Sequence, residues 1–172
     1  MFSDPAANIA KLGLTDGMRV ADIGAGSGFY SIEAAKRVGH SGRVYAIDVQ
    51  KDLLQRLRSI GLAQRLMNIE VVWANAEKIG GTKLQEATID RVIASNVISQ
   101  MTKLDDFVLE VKRMLKPKGK LLLVDWSEAS QMSPQTVVPS AKAQTLFEKN
   151  GFKLETSFPA GDHHYGMIFS RN

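Results

Sequence analysis

Three glycines at alternate positions, Gly24, Gly26 and Gly28, come directly after the apolar run Val20-Ala21-Asp22-Ile23. A carboxylate, Asp48, stands 20 residues beyond Gly28, at the end of a second apolar run that begins at Arg43. A β-branched pattern that stops at glycines and passes at once into a helical pattern makes a main-chain loop at a helix N-terminus, a seat for a nucleotide-type ligand. An acid at the end of the second strand accepts hydrogen bonds from both hydroxyls of a ribose and repels a 2′-phosphate. Loop and acid together predict a ligand with an unphosphorylated ribose that lies close to backbone.

The spacing narrows that ligand. In G-x-G-x-G, Phe29 falls where the dinucleotide fingerprint has its third glycine, and it is expected to obstruct close packing of helix on strand beside a pyrophosphate. No Gly-Lys-Ser/Thr follows, which removes a phosphate-binding P-loop. A ligand without phosphate fits best, and a nicotinamide oxidoreductase is the disfavoured alternative.

Other residues could carry chemistry. Asp22 suits either orienting a polar group of the ligand or accepting hydrogen bonds that shape the loop. Tyr30, Asp125, Glu128, His163 and His164 are acid or base candidates near the expected mouth, but they form no recognisable dyad, so no catalytic residue is assigned. Adjacent side chains on extended backbone point to opposite faces, which favours a structural or surface role for His163-His164 over a base or a metal site. Met101 and Met132 suit core filling or an apolar acceptor wall. Trp126 suits such a wall better, because open α/β sheets bind ligands beyond the carboxyl ends of their strands.

The elements that must position these residues follow from periodicity. Ser3 or Asp4 before Pro5 is a helix start, with Ile9 and Leu12 as its apolar face and Gly13 as its end. Strands are expected over 19–23, 43–49, 69–74, 89–95 and 120–125. Helices are expected over 29–38, near 53–60, over 104–115 and over 140–149; in the helix over 104–115, Leu104, Val108, Val111 and Leu115 form one stripe. Pro117-Lys118-Gly119 is expected to stop that helix, and Ser127 to Pro139 reads as a long surface loop. Phe152–Phe158 and Tyr165–Arg171 flank Pro159-Ala160-Gly161-Asp162, too short a link for a crossover helix, so that pair is antiparallel. The class is α/β, one domain over 1–172, with a mostly parallel sheet covered on both faces.

Composition excludes several functions. With 172 residues, 44% hydrophobic and 23% charged, the chain supports one buried core and needs no staples. A net charge of +4 is spread over 22 scattered basic residues with no stripe, so neither nucleic acid nor a membrane surface is indicated. The absence of cysteine removes thiolate metal sites and cysteine nucleophiles. No basic segment leads into an apolar core near Asp4 and Pro5, and no apolar run approaches about 20 residues. A cytoplasmic protein is expected.

These residues resemble class I S-adenosylmethionine-dependent methyltransferases. Val20-Ala21-Asp22-Ile23-Gly24-Ala25-Gly26-Ser27-Gly28 is similar to that family's first motif and Val44 to Val49 to its second. Ile89 to Asn96 is similar to its fourth-strand motif, and Met114 to Leu121 to its turn into strand five. The resemblance implies a three-layer, seven-stranded sheet in the order 3-2-1-4-5-7-6 with strand seven antiparallel. It implies S-adenosylmethionine as cofactor, with Asp22, Gly24, Ala25, Gly26, Gly28 and Tyr30 around the methionine end and Asp48 on the ribose. Val49 would pack on one adenine face, Asn75, Ala76 and Glu77 would sit at the adenine edge, and Asn96 and Val97 would line the reaction side. Many relatives carry Asp where this chain has Asn75, whose amide both donates and accepts. The lack of a proline-rich motif after strand four and of cysteine points away from nucleic-acid methylation. A small-molecule acceptor of the quinone-precursor type is implied, with its specificity carried by the leading helix, 97–103 and 127–139. A non-catalytic S-adenosylmethionine-binding domain remains the alternative, and a homodimer stays open.

Overall fold

The computed structural model describes residues 3–127 and 133–172. Helix α1 (Pro5–Leu12) starts at Asp4, whose Oδ1 accepts the Ala7 N–H at 3.1 Å, and ends at Gly13 with φ of 67°. Side-chain capping at one end and a left-handed glycine at the other satisfy orphan groups of a short helix. Strand β1 (Arg19–Ile23), helix α2 (Phe29–Val38), strand β2 (Arg43–Asp48), helix α3 (Lys51–Ala63) and strand β3 (Ile69–Trp73) follow. Then come β4 (Ile89–Ser95), α4 (Leu104–Met114), β5 (Leu115–Trp126), α5 (Ser140–Lys149), β6 (Phe152–Gly161) and β7 (His164–Arg171).

The seven strands form one sheet in the order β3-β2-β1-β4-β5-β7-β6, with β7 antiparallel to both neighbours and the remaining pairs parallel. Alternation along the strands sends side chains to two cores. Val20, Val44, Ile93, Leu122 and Val124 pack under α1 and α2 with Ile9, Leu12, Ala34 and Val38. Ala21, Ile23, Ile47, Val92, Leu121 and Leu123 face α4 and α5. Phe147 anchors the second core, stacked on Phe169 at 4.9 Å and edge-on to Phe152 at 5.4 Å. Deleting such a ring costs about 3–5 kcal/mol.

The link from β3 to β4 holds no α-helix, and none is expected there from the sequence. Instead the buried Glu110 of α4 accepts from Gly80 N, Thr82 N and Thr82 Oγ1 at 2.6, 3.2 and 2.5 Å, which satisfies loop donors a helix would have paired internally. Two boundaries differ from the sequence expectation. Helix α4 ends at Met114, ahead of Pro117-Lys118-Gly119, and these residues lie inside β5, which starts at Leu115 rather than Lys120 and shifts register between Ile89 and Arg91 of β4. Pro159 and Ala160 lie inside β6 rather than in a turn, tolerated because β6 is an edge strand. The turn is therefore Asp162-His163, with His163 at φ 61°. Of the expected loop over 127–139, residues 128–132, including Glu128 and Met132, lie outside the described residues. Among the described residues no helix is long and apolar enough to cross a membrane.

Candidate cofactor and acceptor site

The carboxyl ends of β1, β2 and β4 open onto a trench with two lobes that share Gly24, Gly26, Asn96 and Gln100. The lobe of about 260 Å³ is lined by Asp48, Val49, Leu53, Asn75, Ala76 and Met101 among others. The lobe of about 520 Å³ is lined by Ser3, Asp22, Ala25, Tyr30, Trp126 and His164 among others. Each residue that the resemblance assigned to the cofactor lines one lobe or both, except Gly28.

The loop is fixed by backbone and one carboxylate. Gly24 N and Ala25 N donate to the Ile47 carbonyl at 2.8 and 3.0 Å. Gly24 has φ of 67°, and a Cβ there would overlap Val97 Cγ1. Gly26 has φ of 52°, and a Cβ there would find only the Gly24 carbonyl, at 3.8 Å. One glycine thus lets β4's end approach the loop, and the other keeps main chain bare toward the trench. Gly28, with φ of 83°, is needed because a Cβ would overlap Leu57 of α3.

The close helix approach therefore occurs at Gly28 and not at the next residue. Phe29 is 68% exposed and points away from the sheet. The expectation that Phe29 obstructs helix–strand packing is corrected: as the first residue of α2 it lies on the outer side of the turn, at the rim of the larger lobe.

Asp48 is buried at the end of β2. Its Oδ2 accepts the Gly26 N–H and its Oδ1 the Gln50 N–H, both at 2.9 Å. A carboxylate has about four lone-pair sites, so each oxygen keeps one for a ligand hydroxyl. Val49 is 59% exposed across the same lobe from the half-buried Met101. Met101 thus belongs with the smaller lobe rather than with an acceptor wall.

Asn75 and Glu77 have occupations of their own. Asn75 Oδ1 accepts the Glu77 N–H at 2.8 Å, a turn that leaves the amide Nδ2 and one lone pair toward the lobe. Glu77 Oε1 accepts from Thr102 N and Lys103 N at 2.5 and 2.9 Å, capping the approach to α4. The Lys103 N–H foremost holds its carboxyl below the usual range. Asn75 is thus both turn and lining, and Ala76 lies buried between them.

Asn96 stands where the lobes meet, and Asp22 lines the larger lobe. Asp22 is 2% exposed and accepts the Ser31 hydroxyl at 2.6 Å. Burial, with a smaller push from Asp48, raises its pKa to about 7 despite the Ser31 hydrogen bond. Asn96 adopts φ of 57° and donates its N–H to Val124 O at 2.8 Å. Its Oδ1 is buried with no partner among the described residues. An unmet buried acceptor costs about 1–3 kcal/mol unless a bound donor reaches it.

The larger lobe has an aromatic wall. Trp126 and His164, opposite each other in the β5–β7 register, pack ring against ring with centroids 4.2 Å apart and planes tilted by 37°. Tyr30 reaches the N-terminal segment, its hydroxyl 2.6 Å from Ser3 Oγ and 3.0 Å from the Asn8 Nδ2 donor. Asn8 also donates to Ala160 O at 3.1 Å, which ties α1 to β6. Of the other base candidates, Asp125 is fully buried and accepts from Ile98 N and Trp126 N, and His163 is exposed on the turn. Gln100, Ser27 and Phe29 line the trench without a signal in the sequence beyond proximity to the motifs. Among the described residues no cluster of metal-ligating side chains occurs.

A family model described as "Methyltransferase domain" matches residues 14–165. The ubiquinone/menaquinone biosynthesis C-methyltransferase UbiE of Haemophilus ducreyi is 31% identical over 120 residues, covering 67% of this chain and 44% of that protein. That of Laribacter hongkongensis is 32% identical over 142 residues, covering 82% and 57%. The chain spans about half the length of these curated relatives. A SAM-dependent methyltransferase structure from Aquifex aeolicus aligns at TM-score 0.89 with 28% identity, over 99% of this chain and 90% of that one. The [4+2]-cyclase SpnF aligns at TM-score 0.84 with 11% identity, over 97% and 79%. At that identity it shows the fold alone, and it is a reminder that this fold does not dictate one reaction.

Proposed function

Because the chain belongs to the methyltransferase-domain family, we propose that it is a class I S-adenosylmethionine-dependent enzyme that methylates a small molecule by in-line displacement. The observation that carries the proposal is Asp48: a buried carboxylate at the trench whose two oxygens each keep a lone pair beside the bare backbone of Gly26. The residues present fit the cofactor. Asp48 would hold the ribose hydroxyls, Val49 and Met101 the adenine faces, and Asn75 Nδ2 the adenine edge, with Ala76 and Glu77 beside it. Gly24 to Gly28 would flank the methionine end, near Tyr30. The orphaned Asn96 Oδ1 supplies an acceptor for its ammonium, and Asp22, next to it in the trench, supplies a negative field once ionised.

When bound, S-adenosylmethionine supplies a methyl group on a sulfonium, an activated leaving group. The protein's part is placement: Val97 and Asn96 close one side, and the larger lobe holds the acceptor within attack distance of the shared waist. Trp126 and the exposed Phe29 offer ring surface there, which suits a planar aromatic acceptor. The names of the curated relatives support the same class, a quinone-type precursor. Cytoplasmic residence belongs to this proposal.

The test is an acceptor screen that reads S-adenosylhomocysteine release. Turnover with hydroxylated aromatic rings is expected. Cofactor binding with no turnover across a broad metabolite set would instead favour a binding domain without catalysis.

A further inference from the structure

His164 is the first residue of β7 and is 4% exposed. Its Nδ1 lies 2.8 Å from the Asp162 carbonyl oxygen, which can only accept, so Nδ1 carries the proton. The neutral ring then has a bare lone pair on Nε2, and Nε2 is buried without a partner among the described residues. Nε2 has no accessible surface here, so a donor reaches it only once the ring or the wall of the lobe that His164 lines shifts as a molecule binds. The contact with Trp126 sets the ring plane, as the Asp162 bond fixes the tautomer.

We propose that His164 Nε2 is the general base of the transfer, taking the hydroxyl proton of an aromatic acceptor stacked beside Trp126. This rests on the reading of the trench as a methyltransferase site. Nε2 accepts the O–H proton and becomes imidazolium. The electron pair left on oxygen forms the new bond to the methyl carbon, directly or through the ring carbon ortho to it. The carbon–sulfur bond breaks with its pair going to sulfur. In the ring-carbon case the displaced C–H proton leaves to water and restores aromaticity.

The surroundings suit a base. Burial keeps His164 from protonating as readily as an ordinary histidine, and His163 adds to this, while Asp125 on β5 opposes it and would stabilise the imidazolium formed during transfer. Asp22 on β1 and Tyr30 on α2 are the other titratable groups lining the lobe.

His164→Asn keeps a donor for the Asp162 carbonyl and removes Nε2. With 1,4-naphthohydroquinone as acceptor, kcat is expected to fall by about 100-fold or more, with unchanged S-adenosylhomocysteine affinity and with loss of the acidic limb of the pH profile. Added imidazole is expected to restore part of the rate. An unchanged kcat and pH profile overturns the proposal. Nitrogen-15 NMR of the wild type with S-adenosylhomocysteine supplies a second readout: the Nδ1–H tautomer is expected, with an Nε2 shift that responds to the hydroquinone. An Nε2–H tautomer, or no response at millimolar hydroquinone, overturns it as well. Absence of S-adenosylhomocysteine binding by the wild type would instead sink the methyltransferase reading itself.

Discussion

The Gly26 N–H donates to Asp48 Oδ2 at 2.9 Å, so the carboxylate proposed to hold the ribose also holds the loop proposed to hold the methionine end. Two ends of one ligand are positioned by one side chain. Its other oxygen caps the chain entering α3 through Gln50 N, which fixes the carboxylate in turn.

Asp48→Ala should therefore weaken S-adenosylhomocysteine by more than the loss of direct contacts. Charge-assisted hydrogen bonds contribute about 1–3 kcal/mol, which corresponds to roughly 5- to 150-fold in Kd. Asp48→Asn should recover little of this, because its amide NH2 would face a backbone donor on one side. Calorimetric titration of both variants checks this, and wild-type affinity in either would mean the ribose lies elsewhere.

Gly24→Ala sets a Cβ against Val97 at positive φ. The expected loss of stability is about 1–3 kcal/mol from overpacking and backbone strain together. Gly24→Ala with Val97→Ala should return the steric part, so urea unfolding of the four-member cycle should show the double variant more stable than the sum of the singles. Strict additivity would contradict the close contact.

Asp22 gives a pH signature with a definite sign. Burial lifts its folded pKa to about 7, above the ordinary carboxylate value of 3.8, so the folded state holds a proton that the unfolded chain has already released. Stability from this residue is fully present below the unfolded pKa and falls as pH rises toward 7, then levels. Asp22→Asn should remove that slope, so the stability gap between variant and wild type should widen in the variant's favour from pH 4 to pH 7. A gap that stays constant across that window would refute the buried-acid assignment.

Glu110 should act with the opposite sign. Its hydrogen bonds from Arg113, Thr82 and Gly80 outweigh burial and hold its pKa at about 2, below the ordinary value of 4.5. Its contribution is present above pH 4.5 and lost as pH falls toward 2. Glu110→Ala leaves Gly80 N, Thr82 N and Arg113 without their acceptor and should cost about 3–5 kcal/mol at pH 7, and less at pH 3. Denaturant unfolding at the two pH values measures the difference.

Much of the fold was legible because local signals agree with each other. Val20 to Gly28, Val44 to Asp48 and the short link before Tyr165 identify β1, β2 and the reversed β7, whereas the sheet order is implied only by the family resemblance that these residues carry. What was not legible depends on contacts between distant residues. The direction of Phe29 is set by how α2 leaves Gly28 beside Leu57 of α3, which no local pattern records. Glu110 reads as a surface charge on an amphipathic helix until the loop at Gly80 and Thr82 is brought to it. His163-His164 reads as a structural or surface pair on extended backbone, but His163 sits exposed in the left-handed turn and His164 is buried at the start of β7. Which one faces inward follows from the β5–β7 register that pairs Trp126 with His164. Asn75 was legible as turn or ligand contact, and the turn hydrogen bond leaves room for the second role.

The central claim is that the trench takes S-adenosylmethionine, and calorimetric titration of the purified chain with it and with NAD tests that directly. The account predicts one saturable site for S-adenosylmethionine with Kd between about 1 μM and 1 mM, and no heat with NAD. No saturable binding of S-adenosylmethionine at millimolar concentration, or tighter binding of NAD, would contradict it.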